Sequence, residues 1–328
     1  MNILVTGGLG FIGSNFIRHM LNKYGSKIDI TNLDNISFSG NSDNLKDIEN
    51  KSNYHFVKGD ISDYETLKKT AKDSEIIFNF AAETHVDRSI RNSINFTMSN
   101  VMGCTVLLEF VRNNDAKKLV HISTDEVYGS IHKGSFTEKS NLLPNSPYAA
   151  TKASADLIAM SYYKTYNLPV IITRTTNNFG PFQHPEKFIP LMATNLLEDK
   201  KIPIYGDGMN VRDWIYVSDN CEAIDLASKK GKFGEIYNIG AKNEKRNIDV
   251  ARFVLKELGK DEKYIEFVKD RPAHDKRYSL DCSKIKKLGF KPKHDFYKSL
   301  KLTIDWYKNN KPWWKKVKSM KNFDTRYY

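Results

Sequence analysis

Residues 3–13 read Ile3-Leu4-Val5-Thr6-Gly7-Gly8-Leu9-Gly10-Phe11-Ile12-Gly13. A short β-prone run enters a turn with glycine at its first, fourth and seventh positions, and apolar residues at helical spacing continue over residues 11–22. A strand, a glycine turn and a helix in that order make a cradle for a pyrophosphate. Gly7, Gly10 and Gly13 let the backbone turn tightly and approach a ligand closely, while the helix N-terminus offers unpaired N–H groups and a partial positive charge. Asp34 lies 21 residues beyond Gly13, at the end of the second expected strand. A carboxylate there accepts the ribose hydroxyls of an adenosine and repels a 2′-phosphate, so the expected cofactor is NAD rather than NADP. Taken alone, Asp34 also reads as an ordinary helix N-cap. Asp60 is placed to meet the adenine edge, and equally to form a turn.

Outward from that turn, short apolar runs at residues 3–5, 28–30, 55–57, 76–78 and 119–122 alternate with helical patterns at 11–22, 64–72 and 95–113. Such alternation predicts an α/β fold built on a doubly wound parallel sheet of the Rossmann type. A sixth strand is expected at 169–175, after a long helix beginning near Pro147, a residue suited to a first helical turn. From residue 178 the character changes: Pro181, Pro185, Pro190, Pro203 and the turn Gly206-Asp207-Gly208 break the alternation. We therefore expect an NAD-binding domain over 1–177, with returning segments near 213–240, and a smaller substrate domain mainly over 178–328, interleaved with it in sequence.

The whole-chain arithmetic agrees with that picture. A length of 328 residues suits about two domains. Hydrophobic residues make up 40% and charged residues 27%, which excludes a disordered chain. The net charge of +12 suits anionic partners such as nucleotides and also a lysine-rich solvated surface. No apolar run approaches the ~20 residues of a membrane span and no cleavable leader is visible, so neither membrane insertion nor secretion is expected. Cys104, Cys221 and Cys282 are odd in number and far apart, reading as reduced thiols of a cytoplasmic protein. The basic, aromatic tail from Pro312 to Tyr328 reads as a docked arm or a frayed end, too thin a footprint for nucleic-acid binding.

Chemistry is suggested by Tyr-x-x-x-Lys, which sets a phenol and an ammonium on one helix face so that the cation favours phenolate. The chain has five such pairs: Tyr54/Lys58, Tyr64/Lys68, Tyr148/Lys152, Tyr297/Lys301 and Tyr307/Lys311. Only Tyr148/Lys152 follows, by 24 residues, a polar cluster at the end of the fifth expected strand, Ser123-Thr124-Asp125-Glu126. Ligands of open α/β sheets bind outside the carboxyl ends of the strands, and this selects the pair. Arg212 and Arg271 suit a diphosphate, whose oxygens match a guanidinium fork. His85 and His274 read as stacking or hydrogen-bonding residues, and no metal-ligand spacing is present.

These residues, with Ala81-Ala82-Glu83-Thr84-His85-Val86-Asp87-Arg88-Ser89, Asn177-Asn178 and Arg271-Pro272-Ala273-His274-Asp275, resemble the extended short-chain dehydrogenase/reductase family. Within it they are similar to the nucleoside-diphosphate-sugar 4,6-dehydratases, from Met1 to about Ser319. The resemblance implies that Phe11, Ile12, Asp34, Asp60, Ile61, Ala81, Ala82, Ser99, Tyr148, Lys152 and Asn178 hold NAD. It implies that Thr84, Asn177, Lys187, Phe188, Pro203, Tyr205, Arg212, Asn247, Arg271 and His274 hold a nucleotide-sugar. Catalysis would fall to Thr124, Asp125, Glu126, Tyr148 and Lys152: oxidation at C4, loss of water across C5 and C6, and return of the hydride to C6. The stretch at Arg271 is similar to the thymidylyl-type enzymes, implying dTDP-glucose as substrate, with UDP-glucose as the alternative, and a homodimer as the assembly. UDP-sugar 4-epimerases and decarboxylases resemble the chain around Tyr148 but usually lack the Asp125-Glu126 couple. An NAD fold recruited to bind RNA is the non-enzymatic alternative. Ala273, Thr176 and Phe179 depart from the usual glycine, serine and tyrosine of the pattern.

Overall fold

The structure, a computed structural model, describes residues 1–114, 116–321 and 323. Its strands are β1 (Asn2–Thr6), β2 (Asp29–Asp34), β3 (Tyr54–Lys58), β4 (Ile76–Asn79), β5 (Lys118–Thr124), β6 (Val170–Thr175), β7 (Asn177–Phe179), β8 (Ile202–Tyr205), β9 (Val211–Tyr216), β10 (Glu235–Ile239), β11 (Glu244–Arg246) and β12 (Ile265–Val268). Seven of them form a parallel sheet in the order β10-β6-β5-β4-β1-β2-β3. The chain steps outward from β1 to β3 and resumes on the other side at β4. A crevice therefore opens at the carboxyl ends of β1 and β4, where ligands of such sheets bind.

Parallel strands buried on both faces need apolar residues at successive positions, and the alternation of side chains then feeds two layers. Ile3, Val5, Phe78, Val120 and Ile171 pack with Phe16, Ile17 and Ile224 of the helices Phe11–Tyr24 and Val217–Lys230. Leu4, Ile77, Leu119, Val170 and Ile172 pack with Leu107, Leu108, Ala155 and Ala159 of the helices Gly103–Asn113 and Pro147–Tyr166. A third core gathers Phe179, Ile189, Met192, Trp214, Val250, Leu300 and Ile304, mainly from the second half of the chain.

The six expected strands are present, and β2 runs four residues further than its apolar signal. Asn32, fully buried, accepts from Gly8 N–H at 3.1 Å and donates to the Tyr54 hydroxyl at 2.9 Å. A polar residue thus extends the strand because it props up the glycine turn. Of the returning segments expected near 213–240, the first needs correction: β9 pairs with β7 and β11 in a separate three-stranded sheet, and Val217 already begins a helix. By contrast, β10 does join the main sheet, beside β6.

A second correction concerns length and apolarity. The helical run Ile94–Asn113 has 20 residues and contains an 18-residue window with a mean hydropathy of 1.3, enough by those measures to cross a membrane. Polar residues spaced along it hid that average from a count of unbroken apolar residues. Its buried face packs on Pro147–Tyr166 and Tyr64–Ala71, as a core helix does. The tail is docked over its described part: Trp314 in the helix Lys311–Lys318 is fully buried against Ala193 and Tyr307. Its indole N–H donates to the Tyr307 carbonyl at 2.8 Å. Asn322 and residues 324–328 lie outside the described residues.

Candidate active site

The helix Phe11–Tyr24 starts at Gly10 with no side-chain cap, leaving its first-turn N–H groups free for a ligand. Gly7 has φ +69°, and a Cβ there would lie 2.6 Å from the Ala81 backbone nitrogen, so only glycine fits. Gly7, Gly10, Phe11, Ile12, Gly13, Asp34, Asp60, Ile61, Ala81, Ala82, Ser99, Tyr148, Lys152 and Asn178 line one cavity. The structure brings together every residue expected to hold the cofactor. Asp34 accepts from Leu9 N–H at 2.9 Å and Ile36 N–H at 2.8 Å, so it braces the turn and caps no helix. Asp60 accepts from Ser62 N–H at 2.8 Å in a turn and lines the cavity. An uncapped helix N-terminus, a glycine cradle and an acidic residue beyond β2 fit NAD.

The side chains expected to carry catalysis gather at the end of β5 for local reasons. Thr124 caps the short helical turn Asp125–Tyr128, its hydroxyl accepting from Glu126 N–H at 3.2 Å and donating to Asp125 Oδ1 at 3.2 Å. Gly129 ends that turn at φ +81°. Ser146 caps the helix Pro147–Tyr166, with Pro147 in its first turn, and this fixes Tyr148 and Lys152 one turn apart. Asp125 is fully buried, and burial together with the neighbouring Glu126 charge holds its carboxyl well above the usual range; Oδ2 has no partner. Burial also raises Glu126, but the cations Arg271, Lys187 and Arg212 pull it back toward the ionised form. Burial and the charge of Glu126 raise the Tyr148 phenol, against which Thr84 and Thr124 act by hydrogen bonding. The Lys152 ammonium donates to the Ile122 carbonyl at 2.7 Å; burial lowers its pKa and Asp156 opposes that.

A second pocket opens beside the first and shares Thr84, Glu126, Tyr148, Asn177, Asn178, Gln183 and Lys187 with it. It also takes in Phe188, Pro203, Tyr205, Arg212, Asn247, Arg271 and His274, so all ten expected substrate residues line it. Several buried polar atoms there lack partners: Asn177 Oδ1, Asn247 Oδ1, Trp214 Nε1 and Arg271 Nε. Orphaned polar groups converging in a pocket with the buried Arg212 and the half-buried Arg271 suit a polar, anionic ligand.

The GDP-mannose 4,6 dehydratase family model matches residues 4–303. The chain belongs to that family. It is 47% identical over 323 residues to the dTDP-glucose 4,6-dehydratase of Streptomyces niveus, covering 97% of this chain and 96% of that one. Among solved structures, DesIV (dTDP-glucose 4,6-dehydratase) from Streptomyces venezuelae with NAD and TYD bound superposes with a TM-score of 0.95. Identity there is 46%, over 97% of this chain and 100% of that one. The dTDP-glucose 4,6-dehydratase of Bacillus anthracis in complex with NAD gives a TM-score of 0.90 at 51% identity, over 97% and 99% of the two chains.

Some site residues of this family member escaped the sequence reading. Asp87 accepts from the Tyr205 hydroxyl at 3.0 Å and pairs with Arg271 at 3.2 Å, fixing two walls of the second pocket. It stood inside the quoted Ala81–Ser89 motif without a role. Tyr278 places its ring 4.3 Å from the Arg212 guanidinium, and its position three residues after Asp275 was the available signal. Trp313, Val317 and Met320 line the first cavity from the far end of the chain, where no local pattern announced them.

Proposed function

We propose that the chain is an NAD-dependent dTDP-glucose 4,6-dehydratase that converts dTDP-glucose to dTDP-4-keto-6-deoxyglucose and water. The observation that carries the reading is the Asp125-Glu126 couple beside Tyr148, one carboxyl raised by burial and its acidic neighbours against a single cation, Arg212, and the other opposed by three, Arg271, Lys187 and Arg212. Tyr148 removes the proton of the sugar 4-hydroxyl. Because burial and Glu126 oppose its ionisation, this step relies on the Lys152 ammonium to favour phenolate. Bound NAD supplies the hydride acceptor for C4 and, later, the donor for C6. The resulting 4-ketone acidifies the C5 proton, which Glu126 takes as carboxylate. Asp125, kept neutral, gives its proton to the departing 6-hydroxyl and water leaves. Glu126 then returns a proton to C5. Arg212, Arg271 and Lys187 neutralise the diphosphate and hold the sugar against these groups.

Turnover of dTDP-glucose and UDP-glucose, each followed by mass spectrometry, tests the assignment. The expected product of dTDP-glucose is lighter by one water, and substrate deuterated at C4 should carry its label to C6. Some turnover of UDP-glucose is expected, because one methyl in a pocket is worth only about 1–3 kcal/mol. Higher efficiency with UDP-glucose would reassign the nucleotide, and a product that keeps its 6-hydroxyl would overturn the dehydratase reading.

The reading extends to assembly and compartment. Ile90, Ile94, Met98 and Met102 recur every fourth residue with exposed side chains, and Leu157 is exposed on the neighbouring helix. This apolar stripe supports a homodimer formed across it. Three free, buried cysteines suit a reducing cytoplasm.

A further inference from the structure

We propose that the C-terminal helix Lys311–Lys318, with Met320 and Phe323 beyond it, belongs to the cofactor site, forming the wall that retains the adenosine-diphosphate half of NAD. Trp313, Val317 and Met320 line the same cavity as Gly10, Phe11 and Asp34. Placement on that half follows from the sheet. The tail contacts the segment that follows β2, and β2 lies three strands from β5, where Tyr148 and Lys152 gather.

One side chain joins the tail to the glycine turn. The Trp313 indole N–H donates to Asn44 Oδ1 at 3.0 Å, and Asn44 Nδ2 donates to the Leu9 carbonyl at 2.8 Å, inside the turn itself. The Asn41 N–H reaches the same carbonyl at 3.1 Å, and Lys316 pairs with Asp43. Behind this contact Phe182 lies 4.8 Å from Trp306 and 6.1 Å from Trp313, with the Arg18 guanidinium 4.2 Å from its ring. Trp314, fully buried, anchors the helix to the body, so Trp313 is free to face the cavity. Beyond the helix Phe323 comes within 6.2 Å of His184, whose ring packs on Phe38 at 4.6 Å, both of them cavity residues. Met320 is 38% exposed at this rim, an apolar side chain that a bound nucleotide would cover. An aromatic and thioether wall tied to the turn that cradles the pyrophosphate slows escape of the nucleotide.

The proposal rests on NAD occupying the cavity, which NAD binding by the parent chain tests separately. Two mild variants probe the wall: Trp313→Phe removes the N–H to Asn44 and keeps a ring, and Met320→Ala trims the rim and leaves the Trp314 anchor. Dissociation of NAD and of ADP is measured for each, together with the unfolding temperature of the NAD-free protein. The expected result is release about three- to tenfold faster for NAD and for ADP alike, as loss of one hydrogen bond or one apolar contact would give, with unchanged unfolding temperature. Parent-like retention in both variants would overturn the proposal. So would weakening of NAD without weakening of ADP, or a drop in unfolding temperature that tracks the loss of binding, since the tail would then touch the other half or act only as a brace.

Discussion

Asp125 and Glu126 are joined by one peptide bond and face different electrical surroundings. Burial and the neighbouring Glu126 and Asp213, the latter pushed up to about 6 by burial, raise Asp125 against Arg212, whereas Arg271, Lys187 and Arg212 together oppose the rise that burial imposes on Glu126. Two carboxyls whose environments push their pKa values apart divide into an acid and a base. Asp125→Asn should therefore slow water loss by about 10²–10⁴-fold while C4 oxidation continues, read as reduced-nicotinamide absorbance without a dehydrated product. Glu126→Gln should keep the oxidation and abolish exchange of the C5 proton with heavy water. A stability effect follows from the same shift. The folded-state pKa of Asp125 lies above its unfolded value, so its contribution is intact below the unfolded value, about pH 4, and is lost as pH rises toward the folded one. Replacement by Asn removes that loss, so the variant should outlast the parent on heating at pH 8 and match it near pH 4. The difference should grow as pH rises from the unfolded value toward the folded one. Equal melting profiles at both pH values would contradict a neutral, buried Asp125.

At the scale of elements, the strand, turn and helix at the N-terminus carry the cofactor site, and their geometry leaves no room for side chains. A Cβ on Gly13 would run into the Gly7 carbonyl and lie 2.9 Å from Gly8 Cα, both backbone atoms that cannot swing away. Gly13→Ala should weaken NAD binding by about tenfold or more, since overpacking costs about 1–3 kcal/mol, and titration of the purified variant checks it. This element was legible in the sequence because every requirement on it is local: glycine at fixed offsets, three apolar residues before, helical spacing after. The helix of the proposed catalytic pair was legible for a similar reason, with Ser146 and Pro147 marking its start and Tyr148 set one turn before Lys152. What escaped depends on partners distant in sequence. The pairing of β9 with β7 and β11, the prop of Asn32 under Gly8, and the return of Trp313 to Asn44 across 269 residues have no periodic signature. Tyr54/Lys58 shows the converse limit, because its spacing mimics a catalytic pair while both residues sit in the strand β3.

For the whole molecule, the two helices that line the site also carry an exposed apolar ridge. The run Ile94–Asn113 holds Ser99 of the cofactor cavity and Asn100, which hydrogen-bonds Glu83 N–H at 2.8 Å and Thr151 at 3.0 Å. Thr151 lies between Tyr148 and Lys152, so the two helices are locked together behind the catalytic pair. On their outer side Ile94 and Leu157 are 71% and 62% exposed, with Met98 and Met102 beside Ile94 on the same ridge. A stable dimer needs about 800 Å² per partner, and in the proposed homodimer the two adjacent helices would meet their own copies across a two-fold axis. The chain should elute at twice its 37.8 kDa mass, and the double variant Ile94→Glu, Met98→Glu should elute as a monomer. Charges placed on this ridge touch neither pocket, yet the monomer should melt earlier and turn over more slowly, because the helices holding Ser99, Asn100 and Tyr148 lose their outer support. A variant that becomes monomeric with parent-like melting and turnover would show that the dimer hides apolar surface and does nothing for the site.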